Sequence, residues 1–230
     1  MPKLPPDDGD LSAGLDERGW SLLPALMDRG ECEDLRALYG DETRFRSHVV
    51  MAQHGYGRGE YRYFSYPLPP LVERLRRRLY DLLLPTANRW RRALGQEEFP
   101  GTADEFWRAC AAAGQARATP LLLKYGTGDY NRLHQDLYGE IVFPIQLAFL
   151  LSEPEEDFTG GEFVLTEQKP RMQSRPYVVP LRRGDAVAFA VNDRPGRGPG
   201  GYHRLKMRHG VGEVRSGERY TLGVILHDAA

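Results

Sequence analysis

The sequence predicts an α+β protein in which several helices pack on a mainly β core. Segments before Gly114 combine helix-capping residues with apolar side chains at helical spacing, whereas later segments are short apolar runs bounded by Gly, Pro, Asp or Asn. No helical segment separates these runs, so a parallel α/β sheet is not expected. Many short strands at regular spacing favour a sandwich or a barrel instead.

Three helices are predicted in the first half of the chain. A capping box formed by Asp28 and Glu31 begins the first helix. Pro70 occupies a favourable first helical position in the second, whose leucine stripe is predicted to be interrupted at Pro85. A second capping box begins the third helix at Thr102.

Six strands are predicted in the second half, each within an apolar run between turn residues. They fall within residues 119–126, 140–153, 160–168, 177–181, 184–191 and 217–226. The glycine-rich segment between the last two runs, residues 194–204, is predicted to form a mobile loop.

A chain of 230 residues with 41% hydrophobic side chains is expected to form one domain. Residues 1–12 are predicted to be a disordered acidic N-terminus, followed by a helical region over residues 13–117. No apolar run approaches the roughly 18 residues of a membrane helix, and the N-terminus lacks a signal peptide's apolar core, so no membrane partner is expected. Cys32 and Cys110 are expected to be reduced and buried in a cytoplasmic protein.

The charges are distributed unevenly along the chain. Residues 1–42 carry 11 acidic and 4 basic side chains, whereas residues 169–208 carry 10 Lys or Arg and 2 Asp. The basic segment could attract an anionic substrate, either nucleic acid or an acidic peptide. A solvated surface without a specific partner is the alternative interpretation.

A short polar motif, "NRLHQDLYGE", interrupts the predicted β region at residues 131–140. If residues 133–138 form a strand, His134, Asp136 and Tyr138 share one face. An imidazole and a carboxylate on one face suit divalent iron, and a third ligand from elsewhere would complete a facial triad with open positions. Since a lone His-x-Asp pair is weak evidence, the motif needs a second histidine.

Two downstream histidines could supply this ligand, and the residues that follow them differ. Ten residues after His209 lies Arg219, whereas the same offset from His203 leads to Glu213, which cannot hold an anion. His203 also lies in the predicted glycine-rich loop, a poor position for a rigid ligand. His209 is therefore the preferred candidate.

In this order of residues, His134-x-Asp136, His209 and Arg219-x-Thr221, the chain resembles the Fe(II)/2-oxoglutarate-dependent oxygenases, particularly the prolyl 4-hydroxylase-like group. Tyr125 nine residues before the motif, "GGEF" after the next strands and "LRRGDAVAFA" before the distal histidine agree with it. The resemblance covers residues 118–228 and implies a double-stranded β-helix, or jelly roll, with supporting N-terminal helices. The core is accordingly assigned to residues 118–230.

The resemblance also implies an activity and its cofactors. His134, Asp136 and His209 would be catalytic and hold Fe(II). Arg219 would bind the remote carboxylate of 2-oxoglutarate through a two-pronged guanidinium, and Thr221 and Tyr125 could each add a hydroxyl donor. With O2, and with ascorbate as an optional reductant, such an enzyme hydroxylates a C–H bond and releases succinate and CO2.

The substrate is left open by the sequence. A peptidyl or free amino-acid side chain is the main expectation, although Phe163 stands where prolyl 4-hydroxylases commonly have Thr. A nucleic acid bound through residues 169–208 and oxidatively demethylated is the first alternative, and another small molecule also fits this chemistry. The second alternative is a sensor that binds metal and 2-oxoglutarate without turnover.

Overall fold

The computed structural model of the protein describes residues 9–230. Of the residues predicted to be disordered, residues 1–8 lie outside this range. The prediction is wrong for residues 9–12, which begin the first helix, because Leu11 and Leu15 lie one helical turn apart and are both buried in the core.

The described residues contain four α-helices, three short 3₁₀ helices and fifteen strands. The α-helices are α1 (Gly9–Arg18), α2 (Arg29–Ala37), α3 (Pro70–Ala93) and α4 (Ala103–Ala112), and the 3₁₀ helices are Leu38–Gly40, Glu42–Arg44 and Met51–His54. The strands are β1 (Trp20–Leu23), β2 (Phe45–Val50), β3 (Gly57–Arg58), β4 (Glu60–Phe64), β5 (Leu121–Tyr125), β6 (Tyr130–His134), β7 (Ile145–Leu150), β8 (Phe158–Gly160), β9 (Phe163–Gln168), β10 (Arg175–Val179), β11 (Ala186–Ala190), β12 (Asp193–Gly198), β13 (Gly201–Val211), β14 (Val214–Gly217) and β15 (Arg219–Val224).

Two antiparallel sheets form the body of the protein. The larger has the strand order β1-β11-β7-β15-β5-β4-β2. The smaller has the order β10-β9-β13-β6-β3, with β12 also paired to β13, while β14 and β8 form a separate two-stranded sheet. Phe163 of the smaller sheet and Phe189 of the larger lie with ring centroids 5.2 Å apart, so the inner faces pack on each other. The fold is the double-stranded β-helix that the resemblance implied.

The capping signals correctly predicted where the helices begin. Asp28 and Glu31 form a complete capping box at the start of α2, and Pro70 is the first residue of α3. Thr102 caps α4 by accepting a hydrogen bond from the Glu105 backbone N–H.

The predicted interruption at Pro85 is wrong, because α3 continues to Ala93. An internal proline costs a helix roughly 3 kcal/mol. On either side of Pro85, α3 buries Leu83, Ala87 and Trp90 in the core. Burying such side chains contributes roughly 1.5–3 kcal/mol each for the larger ones, which offsets the cost of the proline.

The predicted strands are present, but others were missed. Strands β1 to β4 lie in the region predicted to be helical and join both sheets, next to β11, β5 and β6. The predicted loop over residues 194–204 is also wrong, since β12 and β13 pair there as an antiparallel hairpin. Arg194 stabilises this hairpin because its buried guanidinium forms an ion pair with Glu167 and hydrogen bonds to the Asp16 and Glu17 carbonyls. Local sequence patterns do not predict such contacts between residues far apart in the chain.

The described part of the chain, residues 9–230, contains no helix that is both long and apolar enough to span a membrane. Cys32 and Cys110 are free and buried, as predicted.

A buried ion pair attaches the C-terminal segment to α3. Arg76 is 1% exposed, and its Nη2 lies 2.7 Å from Asp228 Oδ1. The same guanidinium donates to the Leu226 carbonyl, and Tyr66 donates its hydroxyl to Asp228. The charge of Arg76 is therefore paired, and its hydrogen bonds satisfied, by other groups of the protein.

Replacing Asp228 with alanine is expected to lower the free energy of unfolding by about 3–5 kcal/mol, because Arg76 would keep a buried charge without its partner. Urea unfolding followed by circular dichroism measures the change. The matched control is Glu98→Ala, which breaks a largely exposed ion pair with Arg92 and should cost less than about 1 kcal/mol. Equal losses in the two variants would contradict the structural role given to the Arg76–Asp228 pair.

Candidate metal centre

A cavity of about 410 Å³ lies between the inner faces of the two large sheets. Strands β5, β7 and β15 line it on one side, and β6, β9 and β13 line it on the other. All of the site residues selected from the sequence line this one cavity: Tyr125, His134, Asp136, His209, Arg219 and Thr221.

Three side chains with metal-ligand atoms converge within the cavity. His134 Nε2 lies 3.6 Å from Asp136 Oδ1, and His209 Nε2 lies 3.3 Å from Asp136 Oδ2. One ligand atom from each residue lies within 4.8 Å of the other two. Two imidazoles and one carboxylate at this spacing match the facial triad of non-haem iron, so the residues present fit the metal that the resemblance implied.

A β-bulge in β6 directs His134 into the cavity. His209 on β13 pairs with His134, whereas Val211, two residues later, pairs with Asn131, three residues earlier. Strand β6 therefore carries one extra residue between the two pairs, within residues 132–133. In a regular strand, residues three apart face opposite sides, but the bulge lets both His134 and Asn131 line the cavity.

The strand predicted over residues 133–138 ends earlier, at His134. Asp136 and Tyr138 therefore reach the cavity from a loop. The Gln135 side chain donates to the Met207 carbonyl of β13 at 2.8 Å and to Asn192 at 2.6 Å. This side chain occupies a backbone acceptor of β13, so a side-chain hydrogen bond replaces strand pairing where β6 ends.

Hydrogen bonding fixes the orientation of His134. Its Nδ1 lies 2.7 Å from the Arg132 carbonyl, which can only accept, so Nδ1 carries the proton. Nε2 is then unprotonated and faces Asp136 and His209. Burial lowers the pKa of His134, and the neighbouring His209 acts in the same direction, which favours the neutral, metal-binding form.

Asp136 is 9% exposed and accepts two hydrogen bonds. Tyr138 donates its hydroxyl to Oδ1 at 2.6 Å, and Gln146 donates its amide to Oδ2 at 2.7 Å. Burial by itself raises the pKa of this carboxyl, but the contact with His209, the nearby His134 ring and the hydrogen bond from Tyr138 outweigh burial and hold the pKa well below its usual range. Asp136 is therefore ionised and held rigidly.

His209 is 7% exposed and packs against two aromatic rings. Its ring centroid lies 4.7 Å from that of Phe189 and 6.1 Å from that of Phe163. Phe163, the departure from the prolyl 4-hydroxylase pattern, thus forms part of the wall behind this histidine. The Nδ1 atom of His209 has no hydrogen-bond partner among residues 9–230, so the ring is held on that side by packing and strand pairing.

Arg219 is a buried cation in the same cavity, 1% exposed. Its Nη1 donates to the Thr221 hydroxyl, and its guanidinium carbon lies 5.6 Å from the centre of the Tyr125 ring. No carboxylate within residues 9–230 lies within 4 Å of its guanidinium, and Nε has no partner there. A buried guanidinium so poorly paired is suited to bind an anion from solution.

Gly161 makes room for this arginine. A Cβ atom on Gly161 would lie 2.9 Å from Arg219 Cδ and 2.9 Å from a Val214 methyl carbon. Gly160 and Gly161 also have φ angles of 72° and 61°, which favour glycine. In the "GGEF" motif, the second glycine therefore leaves room for Arg219, and the first leaves room for the Glu213 carbonyl, 2.4 Å from where its Cβ would lie.

Burial changes the acidity of the groups around Arg219. Complete burial lowers the pKa of Arg219 to about 10, so the guanidinium is still protonated at neutral pH. Burial raises the pKa of Tyr125 to about 12, although Arg219 acts in the opposite direction. Tyr125 therefore keeps its hydroxyl proton and can donate it to an anion.

The two other histidines considered from the sequence lie outside the triad. His203 is exposed on β13 and does not line the cavity. His227 is fully buried, burial lowers its pKa to about 4, and its Nδ1 accepts a hydrogen bond from the Phe143 backbone N–H. The choice of His209 over His203 agrees with this geometry.

Several residues around the site were missed. Gln146 contacts Asp136 and lies 3.4 Å from His209 Nε2; its signal was a single amide within the apolar run "IQLAFL". Tyr61 and Tyr63, two positions apart on β4, line the cavity, and Tyr63 donates its hydroxyl to Tyr138 at 2.9 Å. That alternation is visible in "EYRYF", but nothing in it indicates which cavity the rings face.

Comparisons with known proteins agree with the fold. A family model described as an oxygenase catalysing oxidative methylation of damaged DNA matches residues 59–229. Uncharacterized proteins of two Mycobacterium tuberculosis strains, CDC 1551 / Oshkosh and H37Rv, are 51% identical over 168 residues, which is 73% of this chain and 72% of theirs.

Solved structures share the architecture at low sequence identity. A Pseudomonas putida prolyl-4-hydroxylase has a TM-score of 0.57 and 15% identity, covering 94% of this chain and 96% of its own. A Burkholderia pseudomallei oxidoreductase of the 2OG-Fe(II) oxygenase family has a TM-score of 0.55 and 19% identity, with 99% and 95% covered. A Trichoplax adhaerens prolyl hydroxylase, in complex with a hypoxia-inducible-factor peptide fragment, has a TM-score of 0.59 and 14% identity, with 96% and 89% covered.

The β-bulge predicts an effect of substitution at Gly210, which lies on β13 between the two pairs. A Cβ atom there would lie 2.7 Å from the Asn131 carbonyl oxygen. Gly210→Ala should displace β6, separate His134 from His209 and weaken Mn²⁺ binding roughly 10- to 100-fold in calorimetric titration. Gly101→Ala, where no atom lies within 4 Å, is the control. Unchanged Mn²⁺ affinity in Gly210→Ala would refute the role given to the bulge.

Proposed function

Because this chain belongs to the oxygenase family whose model covers residues 59–229, and to the Fe(II)/2-oxoglutarate-dependent superfamily, we propose that it oxidises a C–H bond on a nucleic-acid base. The observation that carries the chemistry is the convergence of two imidazoles and a carboxylate in the cavity that also holds the poorly paired Arg219. The chain is an oxidoreductase, and its family uses Fe(II), 2-oxoglutarate and O2.

His134, Asp136 and His209 are the proposed iron ligands. Bound Fe(II), with 2-oxoglutarate and O2, supplies the oxidising power that converts a substrate C–H bond into C–OH while 2-oxoglutarate becomes succinate and CO2. Tyr138 and Gln146 hold both oxygens of Asp136 in place, and the Arg132 carbonyl holds the ring of His134. These contacts orient the ligands before the metal binds.

Arg219 is the proposed partner of the remote carboxylate of 2-oxoglutarate. Its guanidinium can donate two parallel hydrogen bonds to a carboxylate, and the dicarboxylate would supply the anion that the protein itself lacks at this position. Thr221 and Tyr125 offer hydroxyl groups next to it. The apolar ring of Phe158, 5.8 Å from the guanidinium carbon, helps to exclude water from the pair.

A methylated base is the proposed substrate for two reasons. The family description names damaged DNA, and four tyrosines besides Tyr125, at positions 56, 61, 63 and 138, line the same cavity as the triad. Aromatic rings stack on nucleobases that have left the helix. Hydroxylation of an N-methyl group gives N–CH2OH, which releases formaldehyde and restores N–H. The overall reaction would consume one O2 and one 2-oxoglutarate.

A second candidate is hydroxylation of a peptidyl or free amino-acid side chain. The cavity volume of about 410 Å³ is compact enough to enclose 2-oxoglutarate together with one amino-acid side chain, and its tyrosines could equally hold an ammonium group. Another small molecule of that size remains a candidate for the same reason. A sensor without turnover is disfavoured because every proposed ligand position is present.

The cytoplasm is the proposed location of this activity. Cys32 and Cys110 are unpaired and would remain reduced there. Ascorbate is the proposed optional reductant.

The metal assignment predicts that His134→Ala, Asp136→Ala and His209→Ala each abolish succinate formation and Mn²⁺ binding, because each removes one of three ligands. The control is His203→Ala, an exposed histidine near the opposite end of the strand that carries His209 and outside the cavity lining, which should retain both properties. Near-normal turnover in any of the three ligand variants would overturn the assignment.

The carboxylate assignment predicts that Arg219→Lys raises the KM for 2-oxoglutarate roughly 10- to 100-fold, since lysine loses one of two charge-assisted hydrogen bonds. The rate at saturating 2-oxoglutarate should change much less, because the metal ligands are untouched. Arg215→Lys, at an exposed arginine of β14, is the matched control. If the KM stays unchanged in Arg219→Lys, the cosubstrate binds elsewhere.

A further inference from the structure

The smaller sheet presents exposed basic side chains to solvent on five of its six strands. They are Arg58 on β3, Arg132 on β6, Arg175 on β10, Arg197 on β12, and Arg204, Lys206 and Arg208 on β13. On β13 the three basic side chains alternate with the buried side chains of Leu205, Met207 and His209. The basic side chains therefore point away from the cavity.

The acidic side chains of this sheet neutralise only one of those basic residues, Arg204. Its strands contain two acids, Glu167 and Asp193. Glu167 is 4% exposed and paired with the buried Arg194, and Asp193 pairs with Arg204 at 3.1 Å. Within residues 9–230, no carboxylate lies within 4 Å of the charged groups of Lys206 and Arg208. The sheet therefore has an excess of exposed positive charge.

This basic face is continuous with the mouth of the cavity. The exposed members of the cavity lining are Gly55, Tyr56, Arg132 and Leu133. The Arg132 backbone N–H donates to the Tyr56 carbonyl at 2.9 Å, which ties the tyrosine to β6. Strand β6 pairs with β13, and Arg208 directly precedes His209. An extended polymer bound on β13 would therefore lie one strand spacing, about 4.8 Å, from the residues of β6 at the cavity mouth.

We propose that the basic face, from Arg204, Lys206 and Arg208 on β13 to Arg132 on β6, binds the phosphate backbone of single-stranded nucleic acid and delivers one base past Tyr56 into the cavity. This inference rests on the proposed function. Side chains at alternate strand positions lie roughly 6.6 Å apart, so successive Lys and Arg side chains can contact successive phosphates of an extended nucleic-acid strand. The exposed Tyr56 ring offers a stacking surface at the mouth of the cavity.

The test is fluorescence anisotropy with a labelled single-stranded DNA of about 12 nucleotides carrying one N-methylated base, using the full chain loaded with Mn²⁺. In Lys206→Gln/Arg208→Gln, affinity should fall roughly tenfold at about 0.1 M salt, and the slope of log affinity against log salt should decrease by about 1.4. Arg74→Gln/Arg108→Gln, which removes two exposed charges from α3 and α4, should leave both values unchanged.

Turnover assays separate the docking surface from the proposed function. With the free methylated nucleoside, which lacks a backbone, succinate formation by Lys206→Gln/Arg208→Gln should equal that of the unmodified protein, which also shows that the variant is folded. With the oligonucleotide, the KM of the variant should rise.

If the unmodified protein oxidises the oligonucleotide and the variant binds it equally well, the proposed docking surface is wrong and the proposed function stands. If the unmodified protein neither binds nor oxidises nucleic acid but hydroxylates an amino acid, both proposals fail. Preference for duplex over single-stranded DNA would overturn the single-strand assignment.

Discussion

The pairing of β6 with β13 at His134 and His209 is the constraint on which the rest of the site depends. It brings two imidazole rings, 75 residues apart in the chain, to a centroid distance of 4.1 Å. The bulge on β6 gives His134 its direction, and the end of the strand right after it frees Asp136 to approach both rings. Tyr138 and Gln146 then fix the carboxylate. The metal centre is thus a consequence of sheet pairing and of the point at which that pairing stops.

Two buried arginines illustrate how the same residue type can support structure or binding. Arg76 has a carboxylate, a tyrosine hydroxyl and backbone carbonyls as partners, so its charge is satisfied within the protein. Arg219 has only the Thr221 hydroxyl as a hydrogen-bond partner among the described residues, although it is equally buried. Burying a charge is costly unless it is paired, so an arginine left in this state implies an anionic ligand. The difference lies in the partners, not in the degree of burial.

Much of this arrangement could be predicted from the sequence because it depends on local signals. Capping residues gave the starts of α2 and α4, and apolar runs gave the strands around β7, β11 and β15. The six site residues followed from motif order and all line one cavity. The remainder depends on tertiary contacts: burial of Trp90 carries α3 past Pro85, the Arg194 contacts order a glycine-rich hairpin, and the bulge exists only through pairing with β13. Gln146 gave no signal beyond one polar residue in an apolar strand.

The most direct test of the proposed metal and cosubstrate sites is a crystal structure of the protein grown anaerobically with Mn²⁺ and 2-oxoglutarate. We expect an anomalous-scattering peak bound by His134 Nε2, Asp136 and His209 Nε2, with one carboxylate of 2-oxoglutarate hydrogen-bonded to the Arg219 guanidinium. A metal bound at other side chains, or a cosubstrate whose carboxylates do not contact Arg219, would contradict these assignments.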